Sequence, residues 1–159
     1  MKRLALSLLV LLFLASCAPK GDMLSYQNGD VVAECLINGK YSANIIKKED
    51  FRALELTSDT LNGISFSCDG GVWSASIDEV SIPIEKSSLV GVSAITSIFD
   101  LSESAITTAT EGGVVSFDMA PLTYTVTYNS LDLPSNITVE GNGLSIELEI
   151  ISITKTDIK

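Results

Sequence analysis

The sequence predicts a mainly β protein built as an antiparallel sheet with one amphipathic helix. Short runs alternate apolar and polar side chains, and Gly, Asn or Asp interrupt them. Two of the turns are Asn38-Gly39 and Asn62-Gly63, and Asn-Gly is the strongest short hairpin signal. Only residues 87–101 space their apolar side chains by three and four, as a helix does. Because the strands have one dry and one wet face, we expect an antiparallel sheet covered on one side, not a parallel α/β sheet.

Six strands are expected before the helical stretch. The runs are residues 31–37, 41–45, 51–57, 64–68, 72–77 and 80–84. The fourth run has the cleanest alternation, with Ile64, Phe66 and Cys68 on one face and serines on the other. Pro83 lacks a backbone N–H, so the sixth run is predicted to be an edge strand or to contain a bulge.

The helix predicted over residues 87–101 presents Leu89, Val92, Ile95 and Phe99 on one face. Ser87 or Ser88 is the expected N-cap. Gly91 and several β-branched residues lower its intrinsic helix propensity, so packing must hold it in place. We expect this helix to lie across a concave sheet or to plug its open side. The alternative is a connecting helix that only covers core.

Four or five strands follow, and the whole of residues 24–159 is expected to form a single domain. The later runs are residues 106–110, 114–119, 122–128, 137–140 and 144–150. A β-sandwich or a closed barrel would show the same alternation and remains open as an alternative.

The N-terminus has the three parts of an export signal. Lys2 and Arg3 precede an apolar run over residues 4–14, and the small residues Ala15 and Ser16 follow. The run is shorter than the roughly 20 apolar residues that a membrane-spanning helix needs.

The stretch Leu14-Ala15-Ser16-Cys17 resembles the lipobox of bacterial lipoproteins. The resemblance implies that the Cys17 thiol receives a diacylglyceryl group, with chains such as palmitate, and that cleavage removes residues 1–16 as a signal peptide. Residues 17–23 would then be the acylated cysteine and a short tether. The alternative is an ordinary signal peptide in which Cys17 has no special role.

This resemblance predicts a lipid-anchored protein on the extracytoplasmic face of a cell membrane or an outer membrane. One acyl chain binds a membrane only marginally, whereas two or more anchor a protein stably. Ala18 is not the aspartate that resembles an inner-membrane retention signal in some bacteria with two membranes. Hosts with one or two membranes therefore both remain open.

Charge and composition argue against several partners and against catalysis. Lys2 and Arg3 would leave with the signal, so eight basic and twenty acidic residues remain, a formal net charge of −12. Nucleic acid and anionic lipid head groups would be repelled. The chain has no histidine, no Gly-x-Ser-x-Gly elbow and no phosphate-binding glycine loop. Glu147 and Glu149 share a strand face but are interpreted as exposed surface. We expect no enzyme activity, catalytic residue or cofactor.

Two cysteines remain after Cys17, namely Cys35 and Cys68. Outside the cytoplasm this even pair could form a disulfide, provided that their two strands are neighbours. It would close a loop of roughly 34 residues, which is worth about 3–4 kcal/mol. The alternative is two buried thiols. A metal site is not expected, because there is no histidine and no close cysteine pair.

The order of six strands, one helix and further strands, together with the lipobox, resembles the LolA/LolB-like lipoprotein-localisation proteins and related lipid carriers. The resemblance extends over residues 24–155. It implies a curved antiparallel half-barrel in which helices lid an apolar concave face.

The apolar ligand face predicted for such a protein comprises Leu89, Val92, Ile95, Phe99, Trp73, Tyr124 and Tyr128. The expected function is then non-catalytic binding of an acyl chain or lipid. The alternative is that these side chains fill a solid core, and that the protein is a structural or interaction subunit that binds or steadies another envelope protein.

Overall fold

A computed structural model describes residues 24–78, 80–109 and 113–156. The strands are β1 (Asp30–Ile37), β2 (Tyr41–Lys48), β3 (Phe51–Leu56), β4 (Ile64–Asp69), β5 (Val72–Ile77), β6 (Val80–Pro83), β7 (Ile106–Ala109), β8 (Val114–Met119), β9 (Leu122–Tyr128), β10 (Pro134–Gly141) and β11 (Leu144–Thr156). One α-helix, α1 (Val90–Thr96), lies between β6 and β7. The predicted order of six strands, a helix and four or five strands is confirmed, with five in the second group.

All eleven strands of the described residues belong to one antiparallel sheet. Their order is β6-β5-β4-β3-β2-β1-β11-β10-β9-β8-β7, so two meanders meet where β1 pairs with β11. The strands β6 and β7 form opposite edges and do not pair with each other. The sheet is therefore open, and over these residues neither of the alternatives, a closed barrel or a sandwich of two sheets, is formed.

Two local predictions are confirmed, the tight turn at Asn38-Gly39 and the edge position of Pro83. Asn38 and Gly39 have φ values of 50° and 63°, and the Lys40 N–H donates to the Ile37 carbonyl at 3.0 Å. Positive φ at both central residues is what a tight hairpin turn requires, and Asn and Gly tolerate it best. Pro83 lies on the edge strand β6, where its missing N–H costs no ladder bond.

The helix is shorter than predicted. Instead of residues 87–101, α1 covers Val90–Thr96, between the 3₁₀ turns Lys86–Ser88 and Ser97–Phe99. Leu89 occupies the N-cap position without a side-chain hydrogen bond, so the predicted cap at Ser87 or Ser88 is wrong. Both serines are taken up by the preceding turn. Gly91 and the β-branched residues give the segment too little intrinsic helicity to extend α1 in either direction.

The segment between β6 and β7, residues 84–105, covers one face of the sheet and forms the core with it, and we call it the covering segment. Ala94, Ile95, Ile98, Phe99 and Leu101 from this segment are buried. They belong to one cluster with buried strand residues that include Val31, Ala33, Cys35, Ile45, Leu54, Val115, Phe117, Val126, Ile137, Val139 and Leu148. The opposite face carries polar pairs such as Ser116 with Thr125, as the alternation predicted.

Of the two alternatives left open for Cys35 and Cys68, the structure has two free thiols and not the disulfide. Cys35 lies on β1 and Cys68 on β4, and β2 and β3 separate those strands. Three strand spacings amount to about 14 Å. A disulfide needs Cα atoms within about 7 Å of each other. The buried-thiol alternative describes Cys35, which is buried among apolar side chains where burial raises its pKa to about 12.

Candidate functional site

The predicted lipidation site, Cys17, lies outside the described residues, as do the signal peptide over residues 1–16 and the tether over residues 17–23. Within the described part of the chain, no helix is long and apolar enough to cross a membrane.

Most of the predicted ligand face is packed core. Leu89, Ile95, Phe99, Trp73, Tyr124 and Tyr128 are all buried, and Val92 is half-buried. The rings of Phe99 and Tyr128 both pack against Tyr26, with centroid separations of 6.3 and 6.5 Å from the Tyr26 ring. Of the seven predicted residues, Tyr124 also lines an open groove, which is described below.

Tyr26, which the sequence did not single out, ties the start of the domain to the segment after α1. Its side chain has 0% exposure, and its hydroxyl donates to the Ile98 carbonyl at 3.2 Å. The Gln27 side-chain amide donates to the Tyr26 hydroxyl at 3.2 Å and to the same carbonyl at 3.3 Å. Burial raises the Tyr26 pKa to about 12. The sequence feature that could have indicated this role is that Tyr26 is an isolated aromatic residue just ahead of the first strand.

Apolar side chains that are exposed or half-buried lie next to one another on β4, β5 and β6, and we call this surface the open apolar face. It consists of two rows that run across the three strands, Ile64–Ile77–Val80 and Phe66–Ala75–Ile82. Ile77, Val80 and Ile82 are 60%, 69% and 55% exposed, while Ile64, Phe66 and Ala75 are half-buried. Contiguous exposed apolar side chains mark contact sites more often than single ones do.

The open apolar face is an extension of the core face of the sheet. Leu54, which is buried in the core, is the direct cross-strand neighbour of Phe66. The reverse side of the same strands carries serines, and the Ser67 and Ser74 hydroxyls hydrogen-bond each other at 2.9 Å. The sequence identified this face through its alternation. The sequence did not show that the covering segment leaves this face uncovered on β4, β5 and β6.

A second feature is the helix groove, an open depression of about 340 Å³ beside α1. Its lining residues are Lys86, Ser87, Val90, Ser93, Ala94, Ser97, Pro121, Leu122, Tyr124 and Asn142. They come from α1, its flanking turns, the β8–β9 turn, β9 and the β10–β11 turn. Gly141, at φ 122°, lets the last two turns approach, because a Cβ there would collide with the Pro121 carbonyl oxygen.

Tyr124 fixes one wall of the helix groove. Its hydroxyl donates to the Ala94 carbonyl at 3.1 Å, which holds β9 against α1. Burial is the main cause that raises the Tyr124 pKa, against a hydrogen bond from the Ser97 side chain that lowers it. The ring therefore stays neutral and serves as a rigid apolar wall near pH 7.

One ion pair connects the sheet to the covering segment. The Arg52 guanidinium on β3 lies 2.9 Å from an Asp100 carboxylate oxygen, just beyond the last turn of the helical segment. Arg52 also donates to the carbonyls of Glu49 and Phe51. The pair fixes one end of the covering segment, and both side chains retain contact with solvent.

Comparisons with known proteins identify no family. No protein-family model matches the chain, and no curated protein matches it. A crystal structure of an uncharacterized conserved protein from Thermus thermophilus is similar, with a TM-score of 0.47 and 11% sequence identity. The match covers 87% of this chain and 86% of that one.

Proposed function

We propose that this protein is a lipid-anchored, extracytoplasmic binding protein that holds an acyl chain on its open apolar face. The observation that supports the proposal is the pair of uncovered apolar rows on β4, β5 and β6. Contact with water costs about 25 cal/mol for each Å² of apolar surface, so these rows favour an apolar occupant.

The chemistry of the open apolar face favours a hydrocarbon ligand. Its six side chains carry neither charge nor a hydrogen-bonding group. Binding there would be non-directional, at about 0.8 kcal/mol for each methylene removed from water. A flexible chain can follow two parallel rows without a matching pattern of hydrogen bonds. The role we propose is therefore binding and not catalysis.

The proposal includes a curved sheet of the half-barrel kind. Helix α1 has seven residues and is about 10 Å long and 10–12 Å across. It contacts β2 and β3, receives the Tyr124 hydroxyl bond from β9, and places Gly91 beside Ile146 on β11. From β3 to β9 the sheet order spans five strand spacings, about 24 Å. One narrow helix reaches strands so far apart more readily if the sheet bends around it.

The ligand is tested by extraction and by paired substitutions on β6. We expect organic extracts of the purified protein to contain acyl lipid by mass spectrometry, and an apolar fluorescent dye to bind. Ile82→Glu should weaken dye binding at least about tenfold, because it places a charge on the apolar rows. The matched control is Ser81→Glu, which adds the same charge at the adjacent exposed position on the opposite face. Extracts without lipid and equal dye binding by both variants would overturn the proposal.

The anchor is tested separately at Cys17. Cys17→Ser should block processing before residue 17 and move the protein from the membrane fraction to the aqueous fraction, because no acyl chain can then be attached. If processing and fractionation are unchanged, the lipid anchor is wrong, whatever the open apolar face binds.

A second candidate function is an interaction subunit that binds or steadies another envelope protein. The packed cluster of Tyr26, Phe99 and Tyr128 favours it, because a core filled in this way needs no internal ligand. In that case the open apolar face would be buried against the partner protein. Absence of extractable lipid, combined with loss of a cellular cross-link in Ile82→Glu but not in Ser81→Glu, would support this candidate.

A further inference from the structure

The helix groove combines an apolar wall with a single charged group. Val90, Leu122 and Tyr124 supply hydrocarbon and aromatic surface, and Val90 remains 39% exposed. A volume of about 340 Å³ lies at the small end of the range of small-molecule sites, about 300–1,000 Å³. The groove therefore fits a short apolar body and not a complete two-chain lipid.

Among the described residues that line the groove, Lys86 is the one charged side chain. This cation stands out because the whole chain carries a formal net charge of −10. The neighbouring Glu85 is not part of the lining, and the Ser87 hydroxyl donates to its carboxylate at 3.5 Å. Ser93 and Asn142 add hydrogen-bonding groups at the groove. One cation with neutral polar groups matches a head group that carries a single negative charge.

We infer that the helix groove is a binding site for a small amphiphile of the monocarboxylate class, with the carboxylate at Lys86 and the chain along Val90, Leu122 and Tyr124. A doubly charged phosphate head would require more positive charge than the groove offers. The groove and the open apolar face share no residue, so this site is independent of the function proposed above.

The probe is decanoate, with 1-decanol as the uncharged analogue, titrated by calorimetry at concentrations where both are monomeric. In protein that carries Ile82→Glu, so that the open apolar face does not compete for the chain, we expect saturable decanoate binding with a stoichiometry of one, and weaker binding of 1-decanol. Lys86→Gln should weaken decanoate binding about two- to fivefold, because an exposed ion pair contributes modestly, and should leave 1-decanol binding unchanged. Lys48→Gln is the matched control, since Lys48 is also exposed but lies on β2 away from the groove.

A second variant tests the groove without relying on Lys86. Val90→Glu adds a like charge at a partly exposed position and should weaken decanoate binding at least about tenfold. All of these titrations use protein that carries Ile82→Glu, a substitution outside the groove that disables only the open apolar face, so failure of this site is distinguishable from failure of the open apolar face. The inference is overturned if decanoate does not saturate, or if Lys86→Gln and Lys48→Gln have the same effect.

Discussion

The two ends of the sheet differ in what covers their apolar faces. From β3 across to β8, the face turned toward the helical segment is buried, as at Leu54, Val126 and Phe117. Toward one end of β5 and on β6 the same face is exposed, as at Ile77 and Ile82, although Trp73 at the other end of β5 is buried. Both regions have the same alternating pattern, so alternation defines a face and the covering segment decides whether it becomes core. An uncovered extension of a core face is therefore where a ligand or partner is expected.

The edge strand β6 shows what kind of contact this end of the sheet allows. It has four residues and ends in Pro83, features that protect a sheet edge from pairing with another strand. Its apolar side chains are nevertheless exposed. An edge that is protected against strand addition but keeps apolar side chains favours contact through the face, which agrees with the acyl ligand proposed above.

The two regions should differ most in how far loss of an apolar side chain lowers the free energy of unfolding. Phe99→Ala should lower the free energy of unfolding by about 3–5 kcal/mol, because it leaves a cavity in the packed core. Ile82→Ala should change it by less than about 0.5 kcal/mol, since that side chain is 55% exposed. Urea denaturation of both variants at pH 7 measures the comparison. Similar losses in the two variants would show that the open apolar face is covered in solution.

Alkaline pH should destabilise the fold through groups that are buried in the covered region. The pKa values of Tyr26 and Cys35 are raised to about 12 by burial, from ordinary values of 10.0 and 9.0. A group with a raised pKa stabilises the fold below its unfolded pKa and loses that contribution as the pH rises through the folded value. Stability should therefore fall from about pH 9 for Cys35 and from pH 10 for Tyr26, by about 1.4 kcal/mol per pH unit for each group.

Tyr26→Phe provides the control for that pH dependence. It removes one titrating group, so its free energy of unfolding should fall less steeply between pH 10 and 12 than that of the unsubstituted protein. Denaturant titrations at pH 8, 10 and 11 measure the difference in slope. Equal slopes would contradict the burial of the Tyr26 hydroxyl.

The strands and their faces could be predicted from the sequence because they depend on local signals. The Asn38-Gly39 turn and Pro83 at an edge are each decided by backbone chemistry within a few residues. The limits of the helix were harder to predict from the sequence, because residues of low helix propensity such as Gly91 leave packing to determine where α1 begins and ends.

The candidate sites depend on contacts distant in sequence and were largely missed. Periodicity placed Leu89, Ile95 and Phe99 on one helix face, and the structure buries them in the core. It could not show that the covering segment stops short of Ile77 and Ile82. The two cysteines illustrate the same limit, since the number of strands between them follows from the sheet order and not from their spacing.

Tyr26 and Tyr128 are both buried, but loss of the hydroxyl should change the free energy of unfolding by different amounts at the two positions. Tyr26→Phe removes a donor to the Ile98 carbonyl and should cost about 1 kcal/mol. The Tyr128 hydroxyl approaches Tyr26 but forms no hydrogen bond of good geometry within the described residues. Tyr128→Phe should therefore be neutral or slightly stabilising. Thermal unfolding of both variants at pH 7 tests this, and a larger loss for Tyr128→Phe would contradict the assigned bonding.

The smallest expected effect concerns the ion pair that fixes the covering segment to β3. Asp100→Asn removes the charge opposite Arg52, and should lower the free energy of unfolding by less than about 1 kcal/mol, because both groups keep contact with solvent. The effect should shrink between 0.05 and 1 M NaCl, where screening shortens the Debye length to about 3 Å. Glu103→Gln, at an exposed acidic residue that forms no ion pair within the described part of the chain, is the matched control for the change in net charge. Equal, salt-independent effects in the two variants would mean that contacts in the core alone hold the covering segment over this end of the sheet.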